Sequence, residues 1–154
     1  PKNPLKILKP TTYEERIKNC HTITKRHPIK VTDIENKINS SYSYESLNFI
    51  KNYYKNIKFY WLMGADNLVN FHHWQKWRNI FNEISIVVFK RHGYNNKALN
   101  SITTKTFSQF QVIANPINQS HFKKLPSWTW IHNKEIKISS TEIRKQREFL
   151  RGSH

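Results

Sequence analysis

Apolar and polar positions along this chain follow two rhythms, one fitting strands and one fitting helices. The stretches "IKFYWLMG" (57–64) and "ISIVVFKR" (84–91) are nearly continuous apolar runs, the pattern of strands buried on both faces of a parallel sheet. Between them lie a short helical segment and "HWQKWRNIFNE", so the order is strand, helix, strand. Upstream, Thr11 and Thr12 stand before Glu14 and Glu15. Hydroxyl caps followed by acids in the positive first turn predict a helix over Tyr13 to Lys25, stopped by His27-Pro28. "IKVTDIE" roughly alternates Ile29, Val31 and Ile34 and predicts a strand. "SSYSYESLNFIKNYYK" opens on serine caps and sets Leu47, Ile50, Tyr54 and Ile57 on one helical face. From Asn95 to Gln119 the pattern is weakly helical, then strand-like around "FQVIAN"; "SWTWIHNKEIKI" supplies a last strand region and "SSTEIRKQREFL" a last helix.

This grammar predicts an α/β fold: a Rossmann-like open, mainly parallel sheet with helices on both faces. Such sheets bind ligands just beyond the carboxyl ends of their strands. The residues after each strand are therefore where chemistry is expected.

The chain has 154 residues, and we expect one domain over residues 1–149 with 150–154 as a tag-like tail ending "RGSH". A formal charge of +16 fits attraction to nucleic acid, an anionic membrane or phosphorylated small molecules and does not choose among them. The lysines are scattered and sit in a Lys-, Asn- and Ile-rich composition, so a dedicated polyanion surface is not the expected reading. Cys20 is the single cysteine, which rules out an intramolecular disulfide or a CxxC site and fits a cytoplasmic protein. No apolar segment approaches bilayer-spanning length; no membrane partner is expected.

After the strand ending at Met63 come Gly64 and Asp66. Glycine permits close ligand approach, and an acid there either bonds ribose hydroxyls or caps the next helix. Trp74 is either a ligand platform or, spaced with Phe71 and Arg78, part of the core. In "KISSTEIR", Ser139 and Glu142 form a capping box whose free amides suit an anion, with Arg144 one turn inside. The hydroxyls of "SSYSYESL" suit a carboxylate or phosphate, though capping alone accounts for them. Lys6, in "NPLK", sits in a proline-fixed basic loop. His72 and His73 are adjacent, and side chains about 100° apart on a helix do not chelate one ion; no metal ligands are assigned.

Taken in order, these segments resemble bacterial nicotinate-nucleotide adenylyltransferases of the nucleotidyltransferase α/β superfamily. "NPLK" is similar to that family's substrate loop, and "SSYSYESL" to its Ser-Tyr-Thr segment with Ser43 in the threonine's place. "MGADNLVNFHHW" is similar to its Gly-x-Asp segment, "FKRHGY" to its Arg-Pro-Gly-Tyr loop with His92 for proline, and "ISSTEIR" to its Ile-Ser-x-Thr-x-x-Arg signature. The resemblance implies adenylyl transfer from ATP to nicotinate mononucleotide with Mg²⁺, giving deamido-NAD and pyrophosphate. It implies Trp74 stacked on the nicotinate ring and Ser43 with neighbouring amides receiving its carboxylate. Gly64 and Asp66 would lie against the adenosine ribose, and Ser140, Thr141 and Arg144 would hold the ATP phosphates, with Lys6 and Arg91 as phosphate or loop contacts. The family's Gly-x-Phe-Asp-Pro-x-His-x-Gly-His motif and its final helices do not occur in these residues. The sheet is therefore expected to be incomplete at its N-terminus, no catalytic side chain is assigned, and the residues alone are expected to be inactive. A sister adenylyltransferase acting on phosphopantetheine is the alternative among enzymes. A basic nucleic-acid-binding module using lysines and aromatic rings is the alternative outside them. Oligomeric state and the choice between acid and amide mononucleotides are not legible.

Overall fold

The structure, a computed structural model, describes residues 12–113 and 124–134. They fall into two compact units, one holding the residues up to Phe59 with Trp74–Ile80, the other holding Tyr60–His73 and the residues from Phe81 onward.

In the first unit, α1 (Tyr13–Thr24) starts as the sequence predicts. The Thr12 hydroxyl accepts from the Glu15 amide, and the Glu15 carboxylate accepts from the Thr12 amide, each at 3.2 Å. The "IKVTDIE" stretch is not a strand. Residues 28–33 are irregular, and Ile34–Lys37 form a short helix, α2. The Asp33 carbonyl takes the amides of Asn36 and Lys37, and Lys37 pairs with the Asp33 carboxylate at 3.2 Å. Three loosely alternating apolar residues beside Pro28 did not outweigh that local bonding.

Helix α3 spans Ser43–Tyr53, with Leu47 and Ser46 buried. Its N-cap is Tyr42, which makes no side-chain cap bond; Ser40 Oγ instead accepts from the Tyr42 amide at 3.1 Å. The helix ends before Tyr54 and Ile57, so the predicted apolar face is cut short. Tyr54, the C-cap, leaves helical dihedrals at φ −114° and ψ 66°, and its ring packs edge-on to Tyr53 at 4.7 Å and tilts against Phe59 at 6.1 Å.

The second unit carries the sheet. β1 (Tyr60–Gly64), β2 (Ser85–Phe89) and β3 (Trp128–Ile131) are parallel in the order β1-β2-β3. Each parallel pair needs a crossover. The first runs through α4 (Ala65–Asn70), a 3₁₀ turn at Phe71–His73 and α5 (Trp77–Glu83); the second uses α6 (Asn95–Leu99) and α7 (Ile102–Thr106). In the described part of "FQVIAN", residues 110–113, the strand-like signal is an isolated bridge, Gln111 to Trp128, with the Val112 amide donating to the Trp128 carbonyl at 2.8 Å; Ala114 and Asn115 lie outside the described residues.

Ile86 and Val88 are fully buried, as the continuous β2 run requires. Phe81 stacks on Phe107 at 4.2 Å and meets Phe71 edge-on at 5.5 Å. Trp128 is wholly buried, and its Nε1 donates to the Phe107 carbonyl at 2.8 Å, so its one polar atom is satisfied inside the core. At the amino end of β2, the buried hydroxyls of Ser85 and Ser127 lie 2.8 Å apart.

Candidate functional site

Parallel strands in register deliver their following residues side by side. Gly64 on β1 pairs with Phe89 on β2, and the residues two positions further on, Asp66 and Arg91, meet. Arg91 Nη1 lies 3.2 Å from Asp66 Oδ2, with the two side chains 40% and 27% exposed. At that exposure the pair adds little to stability and serves to orient the two groups.

Asp66 sits in the first turn of α4, where a negative side chain is favoured by the helix dipole. Its second oxygen, Oδ1, is buried and has no hydrogen-bond partner. A Cβ added at Gly64 would fall 2.5 Å from that oxygen. Gly64 has ordinary extended dihedrals, φ −82° and ψ 157°, so this glycine is needed for space, not for backbone freedom.

Arg91 is held by the turn that follows β2. The Tyr94 amide donates to the Arg91 carbonyl at 3.0 Å, and the Arg91 amide donates to Asn95 Oδ1 at 2.9 Å. Gly93, third residue of the turn, has φ +77°, the sign a type II turn requires there. A Cβ at Gly93 would meet nothing within 4 Å, so replacing it strains the backbone alone. Gly93→Ala is expected to lower stability by about 1–2 kcal/mol in urea titrations.

The first unit holds Ser43 at the start of α3 and Trp74 in the loop before α5. Trp74 is half-buried and outside any helix, whereas Trp77 is 8% exposed and belongs to the core. The helical spacing that made Trp74 a candidate core residue is therefore not realised. A turn joins the two tryptophans, the Trp77 amide donating to the Trp74 carbonyl at 3.2 Å. Within it Lys76 takes φ +52°, and its ammonium lies 4.7 Å from the Tyr44 ring centroid. Sequence reasoning missed Lys76; the loop offers no glycine or asparagine to mark a left-handed position.

Lys6, Ser140, Thr141 and Arg144, with the whole "ISSTEIR" signature, lie outside the described residues. His72 and His73 do not diverge as a helix would make them. In the 3₁₀ turn their rings lie 3.8 Å apart, and among the described residues no three His, Cys, Asp or Glu side chains come together. Among the described residues no helix is long and apolar enough to cross a membrane.

The structure is an open parallel α/β sheet with Gly64, Asp66 and Arg91 just beyond the carboxyl ends of β1 and β2, the position where such sheets bind ligands. The cytidylyltransferase-like family matches residues 1–146. A probable nicotinate-nucleotide adenylyltransferase of Ruegeria sp. (strain TM1040) is 36% identical over 149 residues, covering 95% of this chain and 77% of the relative. One of the same description from Agrobacterium fabrum is 37% identical, covering 94% and 78%. The nicotinic acid mononucleotide adenylyltransferase of Plasmodium falciparum, solved with APC, shares the fold at a TM-score of 0.57 and 21% identity, over 88% of this chain. This chain spans 62% of that structure's length. The chain belongs to the cytidylyltransferase-like family of nucleotidyltransferases and, within it, to the nicotinate-nucleotide adenylyltransferases.

Proposed function

We propose that this chain transfers the adenylyl group of ATP to nicotinate mononucleotide, forming deamido-NAD and pyrophosphate in NAD biosynthesis. The observation that carries this reading is Asp66. One carboxylate oxygen is oriented by Arg91, and the other is buried without a donor beside a glycine. A ribose hydroxyl is the donor such an oxygen lacks.

In this reading a 5′-phosphate oxygen of the mononucleotide attacks the α-phosphorus of ATP. A new P–O bond forms, the bond to the α–β bridging oxygen breaks, and pyrophosphate leaves with the electron pair. No side chain need act as nucleophile, so catalysis rests on positioning and on neutralising charge. Gly64 and Asp66 fix the adenosine ribose. Trp74 stacks on the nicotinate ring, and Ser43 with the first amides of α3 receives its carboxylate. Lys6, Ser140, Thr141 and Arg144 hold the triphosphate, with Arg91 as a further phosphate or loop contact. Mg²⁺ enters with ATP as part of the substrate, held mainly by phosphate oxygens and water. Action as one domain over residues 1–149, in the cytoplasm, belongs to the same proposal.

Full-length protein given ATP, Mg²⁺ and nicotinate mononucleotide is expected to release pyrophosphate, and no release would sink the assignment. Trp74→Ala should raise the KM for the mononucleotide about tenfold, the value of one stacked ring, and leave the KM for ATP nearly unchanged.

A further inference from the structure

We infer that Lys76 sets the preference for a mononucleotide bearing a carboxylate over one bearing a neutral amide. The inference rests on the adenylyl-transfer reading above and on geometry wholly within the first unit.

Lys76 follows Trp74 by two positions, in the turn closed by the bond from the Trp77 amide to the Trp74 carbonyl. Its φ of +52° is a conformation that lysine rarely adopts. Strain of this kind persists where the surroundings hold it, and it is commonest at ligand sites. Here it directs the lysine across the Tyr44 ring, 4.7 Å from Nζ to the centroid. Tyr44 is the residue after Ser43, in the first turn of α3. The same side chain therefore links the loop proposed to stack the pyridine ring to the helix start proposed to take its carboxylate.

A second observation lies on that helix. Ser46, one turn beyond Ser43 and on the same face, is 8% exposed, and its Oγ is buried with no hydrogen-bond partner. An unbonded hydroxyl there leaves a donor for an acceptor-rich group such as a carboxylate.

Charge decides the direction of selectivity. Glu45, also in the first turn of α3, repels an incoming carboxylate. Lys76 opposes that repulsion, and no carboxylate is in ion-pair contact with it among the described residues. A nicotinate carboxylate gains from the ammonium; a nicotinamide group, being uncharged, gains little. For a solvent-exposed lysine several ångströms away the advantage is about two- to fivefold.

The test compares kcat/KM for nicotinate and nicotinamide mononucleotides in full-length wild type, Lys76→Gln and Lys76→Arg. Lys76→Gln is expected to lower the acid-to-amide ratio about two- to fivefold, almost wholly through the acid substrate, with Tm nearly unchanged. Lys76→Arg, which keeps the charge, is expected to retain most of the ratio. Raised salt should shrink the wild-type ratio but not that of Lys76→Gln. Active wild type with an unchanged ratio in Lys76→Gln, or equal losses on both substrates, overturns the role of Lys76 and leaves adenylyl transfer standing. Wild type inactive on both mononucleotides overturns the underlying reading instead.

Discussion

Gly64→Ala is expected to reduce kcat/KM for ATP about 100-fold while leaving the fold intact. The substitution adds one methyl group at a residue whose φ of −82° suits alanine, so the backbone does not resist it. The resistance is local: the new Cβ would stand 2.5 Å from Asp66 Oδ1. Contact at van der Waals distance requires the carboxylate to retreat by about 1 Å, and a displacement of that size at a positioning group costs on the order of 100-fold in rate. Arg91 resists the retreat through its 3.2 Å contact with Oδ2. A double-mutant cycle checks the route. Asp66→Ala alone should also cost roughly 100-fold, and adding Gly64→Ala to it should cost almost nothing more, because the clashing oxygen is gone. Full additivity in steady-state kinetics would show that Gly64 acts on something other than Asp66.

Trp128→Ala is expected to be the most destabilising single change, at about 3–5 kcal/mol by urea unfolding. Trp128 is completely buried at the head of β3, so truncation leaves a large cavity. It also removes the indole donor to the Phe107 carbonyl. Trp128→Phe separates the two terms. It keeps most of the ring and loses only the donor, so about 1–3 kcal/mol is expected. A phenylalanine variant as unstable as the alanine one would mean that the hydrogen bond, not ring volume, governs this part of the core.

The parallel sheet was legible because its strands announce themselves without long-range information. "IKFYWLMG" and "ISIVVFKR" are nearly continuous apolar runs; β2 is buried as that pattern predicts, whereas β1, at the end of the strand order β1-β2-β3 among the described residues, leaves Tyr60 39% and Leu62 63% exposed. The "SWTWI" region was legible for the same reason. "IKVTDIE" misled because alternation over a few residues is weak evidence against local bonding by an aspartate, and here Asp33 nucleates a helical turn. The stretch after Asn95 resisted because α6, α7 and a 3₁₀ turn at Ser108–Phe110 are each too short to show a period.

The site was half legible. Gly64, Asp66 and Arg91 were each singled out, yet their meeting was not, because it depends on strand register. Once β1 and β2 are read as adjacent and parallel, equal offsets beyond Gly64 and Phe89 bring Asp66 and Arg91 together. Aligning the ends of the two apolar runs would instead set Gly64 opposite Arg91, so this register comes from the strand pairing, in which Gly64 faces Phe89. Lys76 was not legible either. Its placement depends on a left-handed turn that no residue type there betrays.

The buried hydroxyl pair of Ser85 and Ser127 belongs to the opposite end of the strands from Gly64. Four residue steps of strand separate the two ends, about 13 Å. Over that distance free-energy effects of substitutions are close to independent. The foot of the sheet is thus a reservoir for protein engineering: stabilising replacements can be installed there first, giving a tolerant background in which even a costly change near Asp66 yields folded protein whose kinetics can be measured.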